Sequence, residues 1–300
     1  MSKPKALLIL HGKQALNEQV RSAVQSKREQ GWELAVRVTW EGGDARRLVD
    51  EALAAGYTRL IAGGGDGTLR DVAEAMAQAK TDASLVLMPL GTANDFARAA
   101  GVPLEPELAL DLLDAPARAI DLGEVGGQIF LNMATGGFGS QVTANTSQEL
   151  KKVLGGAAYL FTGLSRFSEL HAAYGELQGP DFHWRGELLA LGIGNGRQAG
   201  GGHVLCPEAM ADDGLLEISI LPAPQEVVGT LRDLMADGWG LDNLFVRARL
   251  PWVEIKVAEG LYINLDGEPL KGDDLRFSAL PQALKVHLPP DSPLLVSRPG

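Results

Sequence analysis

The chain carries a single cysteine, Cys206, among 300 residues. One thiol closes no internal disulfide, so a small stapled scaffold is excluded and a reducing cytoplasm is the expected compartment. No apolar run approaches the ~18–20 residues that a membrane-spanning helix needs. The short run Ala6–Leu10 near the N-terminus is broken by His11-Gly12-Lys13, so it reads as a first strand and not as a signal peptide. Positive charge is also scarce, with 27 Lys and Arg against 38 Asp and Glu, a formal net charge of −11. Without a dense basic run, nucleic acid is excluded as a partner. A broad grip on anionic membrane is disfavoured for the same reason, while contact with one lipid head group stays open. The five histidines fall at no zinc-binding spacing, and neither His-Glu-x-x-His nor Gly-x-Ser-x-Gly occurs. His203 and Cys206 alone are too few for a metal, and Cys206 reads as a buried thiol.

What the sequence has in excess is glycine, 37 of 300 residues where average usage gives about 7%. The excess is clustered at Gly63-Gly64-Gly65, Gly136-Gly137, Gly155-Gly156 and Gly200-Gly201-Gly202. Clusters mark places where the backbone bends sharply or approaches something closely.

The length suits two domains at about 150 residues each. In the first third, short apolar runs alternate with helical periodicity: strands at Ala6–Leu10, Leu34–Trp40, Arg59–Ala62 and Ser84–Pro89, helices at Asn17–Gln30, Asp44–Ala55, Thr68–Ala79 and Ala93–Ala100. That rhythm predicts a doubly wound parallel α/β domain. It then gives way to consecutive strand-like runs at Gln128–Met133, Glu187–Ile193, Leu215–Leu221, Val246–Val257, Tyr262–Leu265 and Leu284–Leu288. Only two helical patterns interrupt them, Ser147–Leu170 and Gln225–Asp237. These runs predict a mostly antiparallel, β-rich second domain. The expected division is 1–123, 124–288 and a proline-rich extended arm over 289–300. The apolar residues of the Ser147–Leu170 pattern suit either a buried face or a lipid-facing surface.

The densest chemistry lies at Gly63-Gly64-Gly65-Asp66-Gly67-Thr68, where a strand ends and a helix begins. Free N–H groups and the partial positive charge of a helix start suit a phosphate, and glycines let the backbone come close to it. Asp66 would repel a phosphate unless a metal or a proton stood between them. No Gly-x-Gly-x-x-Gly and no Gly-Lys-Ser/Thr is present, so neither the Rossmann nor the P-loop pattern applies. A second strand-to-helix turn, Leu90-Gly91-Thr92-Ala93-Asn94-Asp95-Phe96, would open on the same edge of a parallel sheet. Leu265-Asp266-Gly267-Glu268-Pro269 sets two carboxylates about a turn glycine, which suits proton transfer and equally suits a hairpin with a solvated Glu. Met210-Ala211-Asp212-Asp213-Gly214-Leu215 is an Asp-Gly turn offering oxygen ligands to a hard cation.

In combination these motifs resemble the diacylglycerol-kinase family, which includes bacterial lipid kinases, sphingosine kinases and ceramide kinases. The chain is most similar to the bacterial YegS-type lipid kinases. Asn132-Met133-Ala134-Thr135-Gly136-Gly137-Phe138-Gly139, the stretch Gly192–Gly202 and Asn264–Leu270 carry the likeness through nearly the whole chain. The first glycine loop alone also resembles NAD kinases and phosphofructokinases.

The resemblance implies an ATP- and magnesium-dependent transfer of the γ-phosphate to a lipid hydroxyl of the diacylglycerol or phosphatidylglycerol class. It assigns ATP to Gly65, Asp66, Gly67, Thr68, Leu69, Arg70 and Asp71, with Thr39 and Thr92, and the proton acceptor to Glu268. It assigns a magnesium ion, or calcium in its place, to the main-chain oxygens of Met210 and Leu215 and the side chain of Asp213. It further implies peripheral membrane contact and no protein partner. One departure is visible, since the family usually reads Asn-Glu where this chain has Arg70-Asp71. The rival readings are a soluble-substrate kinase such as an NAD kinase, and a nucleotide-binding protein without turnover. Loss of the carboxylates would mark the second, and Asp66, Asp213 and Glu268 are all present.

Overall fold

The computed structural model describes residues 4–136, 139–140, 170–171, 173–222 and 245–296. The expected helices over Ser147–Leu170 and Gln225–Asp237 lie outside the described residues, except that Leu170 sits in a two-residue strand.

The N-terminal part alternates as its apolar runs foretell: β1 (Lys5–His11), α1 (Glu18–Glu29), β2 (Glu33–Thr39), α2 (Asp44–Ala54), β3 (Arg59–Gly64), α3 (Asp66–Gln78), β4 (Ser84–Pro89), α4 (Asp95–Ala99) and α5 (Pro106–Asp111). β2, β1, β3 and β4 lie side by side in that order, and every pairing among them is parallel. Because β1, β3 and β4 are covered on both faces, nearly all their residues are buried, which is why they read as continuous apolar runs. The start of α1 is capped by Asn17, whose Oδ1 accepts the amides of Gln19 and Val20 at 3.0 and 3.3 Å. The buried Lys27 fastens α1 to the end of α5 through Asp111 (3.0 Å) and to the segment after it through Asp114 (2.7 Å).

The second part is antiparallel. It comprises β5 (Ala117–Val125), β6 (Gln128–Phe130), β7 (Met133–Gly136), β8 (Gly139–Ser140), β9 (Leu170–His171), β10 (Ala173–Gly179), β11 (Phe182–Gly194), β12 (Gln198–Ala199), β13 (His203–Val204), β14 (Leu216–Pro222), β15 (Val246–Leu250), β16 (Trp252–Leu265) and β17 (Glu268–His287). The expected single strand Val246–Val257 is two, broken at Pro251, whose missing N–H cannot continue the ladder. Its sheet runs β15-β14-β11-β10-β16-β17 and continues, through β17 against β4, into the parallel sheet. Two large apolar cores follow among the described residues, beside a small cluster of Met133, Leu205, Cys206 and Ala209. One lies around the parallel strands, and one is built from Val125, Phe130 and the inward residues of β10, β11, β14, β16 and β17.

β17 joins the halves. Its first part pairs with β16, while Lys285–His287 pairs in parallel with Ser84–Val86 of β4. The register against β5 shifts between Leu280 and Leu284, and Gln282 there has φ 53°. Position 123 falls inside β5, which pairs with β17 on both sides of that shift. His287 pins the strand end, with Nε2 at 2.8 Å from Ser84 Oγ and Nδ1 at 2.7 Å from the Ala115 carbonyl.

The expected extended arm is corrected by the structure. Residues 289–296 fold as turns, with Leu294 and Leu295 buried in the N-terminal core. Ala211 N–H donates to Leu294 O at 2.7 Å, and Val296 N–H to Asp212 Oδ1 at 2.7 Å. Two leucines among the prolines supply the apolar surface that draws the segment back.

Candidate active site

The glycine triplet is the end of β3 and the cap of α3. Gly63 and Gly64 are strand residues, Gly65 is the extended N-cap, and Asp66 opens the helix. The parallel neighbour β4 ends at the same level, and Leu90 N–H donates to Gly64 O at 2.7 Å. The two strand-to-helix turns therefore abut. A Cβ on Gly91 would stand 2.6 Å from Gly65 Cα and 2.9 Å from Asn94 Oδ1, so only glycine allows the approach. A Cβ on Gly64 would strike the Thr68 side chain at 2.4 Å. Gly67 differs, since a Cβ there meets nothing within 4 Å. Its open side faces no protein atom that would require glycine.

Asn94 completes the second turn in the left-handed region (φ 51°), a conformation that asparagine tolerates. Its Oδ1 accepts Gly91 N–H at 2.9 Å, its Nδ2 donates to Gly91 O at 2.8 Å, and its own N–H donates to Asp66 Oδ2 at 2.8 Å. Asp66 Oδ1 is buried with no hydrogen-bond partner. Burial, then the neighbouring Asp95 carboxylate, push the Asp66 pKa up. A buried, unpartnered carboxylate oxygen fits a cation or a proton.

Beside these turns lies a cleft of about 670 Å³, lined by Thr39, Thr68 and Asp71 together with His11, Gly12, Lys13 and the Trp40–Gly43 segment. Such a volume suits a small organic ligand. Of the expected nucleotide residues, Thr39, Thr68 and Asp71 thus share one cavity. Gly65, Asp66 and Gly67 lie on the turn leading to it, Thr92 is exposed on the second turn, and Leu69 is fully buried in the core, so only its backbone is free to serve a ligand. His11-Gly12-Lys13 was legible only as the break after the first strand. A Cβ on Gly12 would lie 2.5 Å from Thr39 O, so that break is also a close approach. Trp40 is 92% exposed at the rim. Its loop is fixed from below, because Asp44 Oδ2 accepts the amides of Trp40 (2.7 Å) and Glu41 (3.1 Å).

The third motif is a hairpin turn between β16 and β17. Asp266 (φ 47°) and Gly267 (φ 105°) both take positive φ, as a two-residue Asp-Gly turn requires. The bend sends the two carboxylates apart. Asp266 accepts three backbone N–H groups, of Leu131 (2.7 Å), Asn132 (2.9 Å) and Met133 (2.8 Å). Burial outweighs those bonds and pushes its pKa up to about 6. Glu268 projects outward, more than half exposed, and meets Arg70 of α3, with Oε1 3.4 Å from Nη2. Arg70 Nη2 also pairs with Asp71 Oδ1 at 2.5 Å. The hairpin of the second half is thereby linked to the helix that carries the first glycine loop.

Two further clasps escaped the sequence reading. Asp95 accepts Gly201 N–H (3.0 Å) and Gly202 N–H (2.7 Å), drawing the fourth glycine cluster onto the second turn. Asp121 accepts Gly214 N–H (2.6 Å) and Gln282 N–H (2.8 Å). The signal for the first was the cluster itself, which named no partner.

The expected cation loop Met210–Leu215 holds its Asp213 carboxylate by contacts within the protein. Asp213 Oδ1 accepts Leu215 N–H at 2.9 Å, and Oδ2 is ion-paired with Arg249. Among the described residues, no three His, Cys, Asp or Glu side chains gather as a metal cluster. Met210 and Leu215 are half-buried on the same loop. Cys206 is buried, and burial holds its thiol pKa well above the ordinary value, which makes it an inert core residue. No helix among the described residues is long and apolar enough to cross a membrane.

Comparison with known proteins agrees with this architecture. Residues 5–125 match the diacylglycerol kinase catalytic domain, and residues 133–288 match the YegS C-terminal NAD kinase beta sandwich-like domain. A Pseudomonas fluorescens (strain Pf0-1) protein named "Probable lipid kinase YegS-like" is 81% identical over 295 residues, 98% of this chain and 97% of that one. A protein of the same name from Pseudomonas aeruginosa PAO1 is 71% identical over 299 residues, covering 100% and 99%. The crystal structure of a diacylglycerol kinase from Bacillus anthracis str. Sterne superposes with a TM-score of 0.73 at 21% identity, over 97% of this chain and 98% of that one. At that identity the likeness speaks for the fold. The chain belongs to the YegS-like lipid kinases of the diacylglycerol-kinase family.

Proposed function

We propose that the chain is an ATP-dependent lipid kinase that moves the γ-phosphate of ATP to a hydroxyl of a diacylglycerol- or phosphatidylglycerol-class lipid. One observation carries the reading: two glycine turns and a nucleotide-sized cleft lie at the end of the parallel sheet, and Arg70 links their helix to the Glu268 hairpin. The cleft takes the nucleoside, with Thr39, Thr68 and Asp71 on its wall. The backbone N–H groups of Gly65–Thr68 and the start of α3 take the phosphates. Asp66, with its buried free oxygen, is the residue that fits the magnesium accompanying the nucleotide, and that ion would neutralise phosphate charge. Glu268 accepts the proton of the attacking lipid hydroxyl, which needs an exposed carboxylate at the substrate side.

The Asp213 loop is given no part in the transfer, because Arg249 already neutralises its carboxylate. The NAD kinase-like description of the second domain concerns its sandwich, and no residue described above favours a dinucleotide acceptor. The test is a panel of lipid alcohols, with NAD included, incubated with radiolabelled ATP and magnesium and read by mass spectrometry of the products. Label in a lipid is expected. Label in NAD alone, or in nothing while the folded protein binds ATP, overturns the lipid reading.

A further inference from the structure

Arg70 stands on α3 between the first glycine loop and the Glu268 hairpin. Its side chain is only 12% exposed. It lies one residue beyond the buried Leu69 on α3, yet it does not line the nucleotide cleft, whereas Asp71 beside it does. Its bonds are spent on carboxylates: Nη2 meets Asp71 Oδ1 at 2.5 Å and Glu268 Oε1 at 3.4 Å. Its Nε is buried and without a partner. A buried donor left unpaired is costly, so stability alone is a poor reason to keep an arginine here. Glu268 itself follows a two-residue turn as the first residue of β17 and is more than half exposed. An exposed glutamate side chain samples many rotamers, and Arg70 is the fixed cation that restricts it.

We infer that Arg70 is a positioning residue, whose guanidinium holds the Glu268 carboxylate in place beside the helix that carries the phosphate loop. The inference rests on Glu268 as proton acceptor, as proposed above. Its distinctive consequence is that Arg70 acts through Glu268, so its effect must vanish when Glu268 can no longer accept a proton.

The experiment is a double-mutant cycle on the full chain: wild type, R70Q, E268Q and R70Q/E268Q. Lipid-dependent turnover is measured in mixed micelles, ATP affinity by calorimetry, and folding by urea denaturation. R70Q is expected to lower kcat about 3- to 5-fold, the upper range of a lost, partly exposed ion pair, with ATP affinity within about twofold. Within the E268Q background the same substitution should change kcat by less than about twofold. R70K, which keeps the charge without the planar fork, should recover part of the loss. Equal loss of kcat in both backgrounds overturns the inference, as does unchanged kcat in R70Q. A tenfold fall in ATP affinity at unchanged kcat also overturns it and makes Arg70 a nucleotide contact. Should R70Q fail to fold, R70K replaces it in the cycle and must show the same dependence on Glu268. Full activity of E268Q would instead sink the proton-acceptor assignment, and the positioning role falls with it.

Discussion

Gly67 separates a glycine needed by the fold from a glycine needed by a ligand. It is the second residue of α3 and is absent from the glycines with positive φ. A Cβ there meets no atom within 4 Å. By the folded structure alone, alanine should be welcome. It removes freedom from the unfolded chain and favours helix, so Gly67→Ala should raise stability by about 0.4–1 kcal/mol. If the phosphates of ATP pack against this turn, the same methyl intrudes on them, and affinity should fall at least about tenfold, the equivalent of about 1.4 kcal/mol. Gly91→Ala is the contrasting case. Its Cβ would come within 2.6 Å of backbone at Gly65, and an overpacked site of this kind costs about 1–3 kcal/mol. Urea denaturation measures the two stabilities and calorimetry the two ATP affinities. A Gly67→Ala protein that is more stable and binds ATP within twofold of wild type would refute the phosphate assignment of this turn. A Gly91→Ala protein with unchanged stability would refute the close approach of the two turns.

Three further outcomes are expected. Glu268→Gln should leave ATP affinity and the urea midpoint unchanged while turnover falls by roughly 10²–10⁴-fold, the span of a lost general base. Asp266→Ala strips three buried N–H groups of their acceptor and should lower stability by at least about 2 kcal/mol, read by the same denaturation. Asp44, whose pKa is lowered to about 2 by Arg47 and by the amides of Trp40 and Glu41, contributes stability that is present above about pH 4. That contribution is lost as the pH falls toward 2. Asp44→Ala should flatten this part of the acid-unfolding curve, and an unchanged curve would show that the carboxylate does not hold the loop.

The parallel strands β1, β3 and β4 were legible because each is short and buried on both faces, and β2 because its apolar residues alternate with polar ones. β17 was not. Residues 268–276 of that strand carry Glu268, Lys271, Asp273, Asp274 and Arg276, most of them exposed, so local hydropathy reads only its buried end at Leu284–Leu288. Its role in joining the two sheets depends on pairing Lys285 with Ser84, some two hundred residues away. Periodicity is a property of a window and holds no information about such a partner. Likewise the glycine turns were visible as composition. The Asp95 clasp on Gly201 and Gly202, and the Arg70 contact with Glu268, are long-range and had no local signature.

What the structure adds to the motifs is a way to sort the carboxylates that they contain. Asp95 and Asp121 each accept two backbone N–H groups, and Asp266 accepts three. A carboxylate saturated by main-chain donors is committed to holding loops together, because withdrawing it would strand those donors. Asp213 is likewise spent, on Leu215 N–H and Arg249. Asp66 keeps one buried oxygen without a partner, and Glu268 meets only a guanidinium at 3.4 Å, with more than half its side chain in solvent. These two retain lone pairs for a ligand, one at the first glycine turn and one on the hairpin that Arg70 links to its helix. The division follows from donor counts alone. It also separates the two acids of the Asp266-Gly267-Glu268 turn, which their sequence left equivalent: the turn's positive-φ pair draws the first in as a clamp and leaves the second facing solvent.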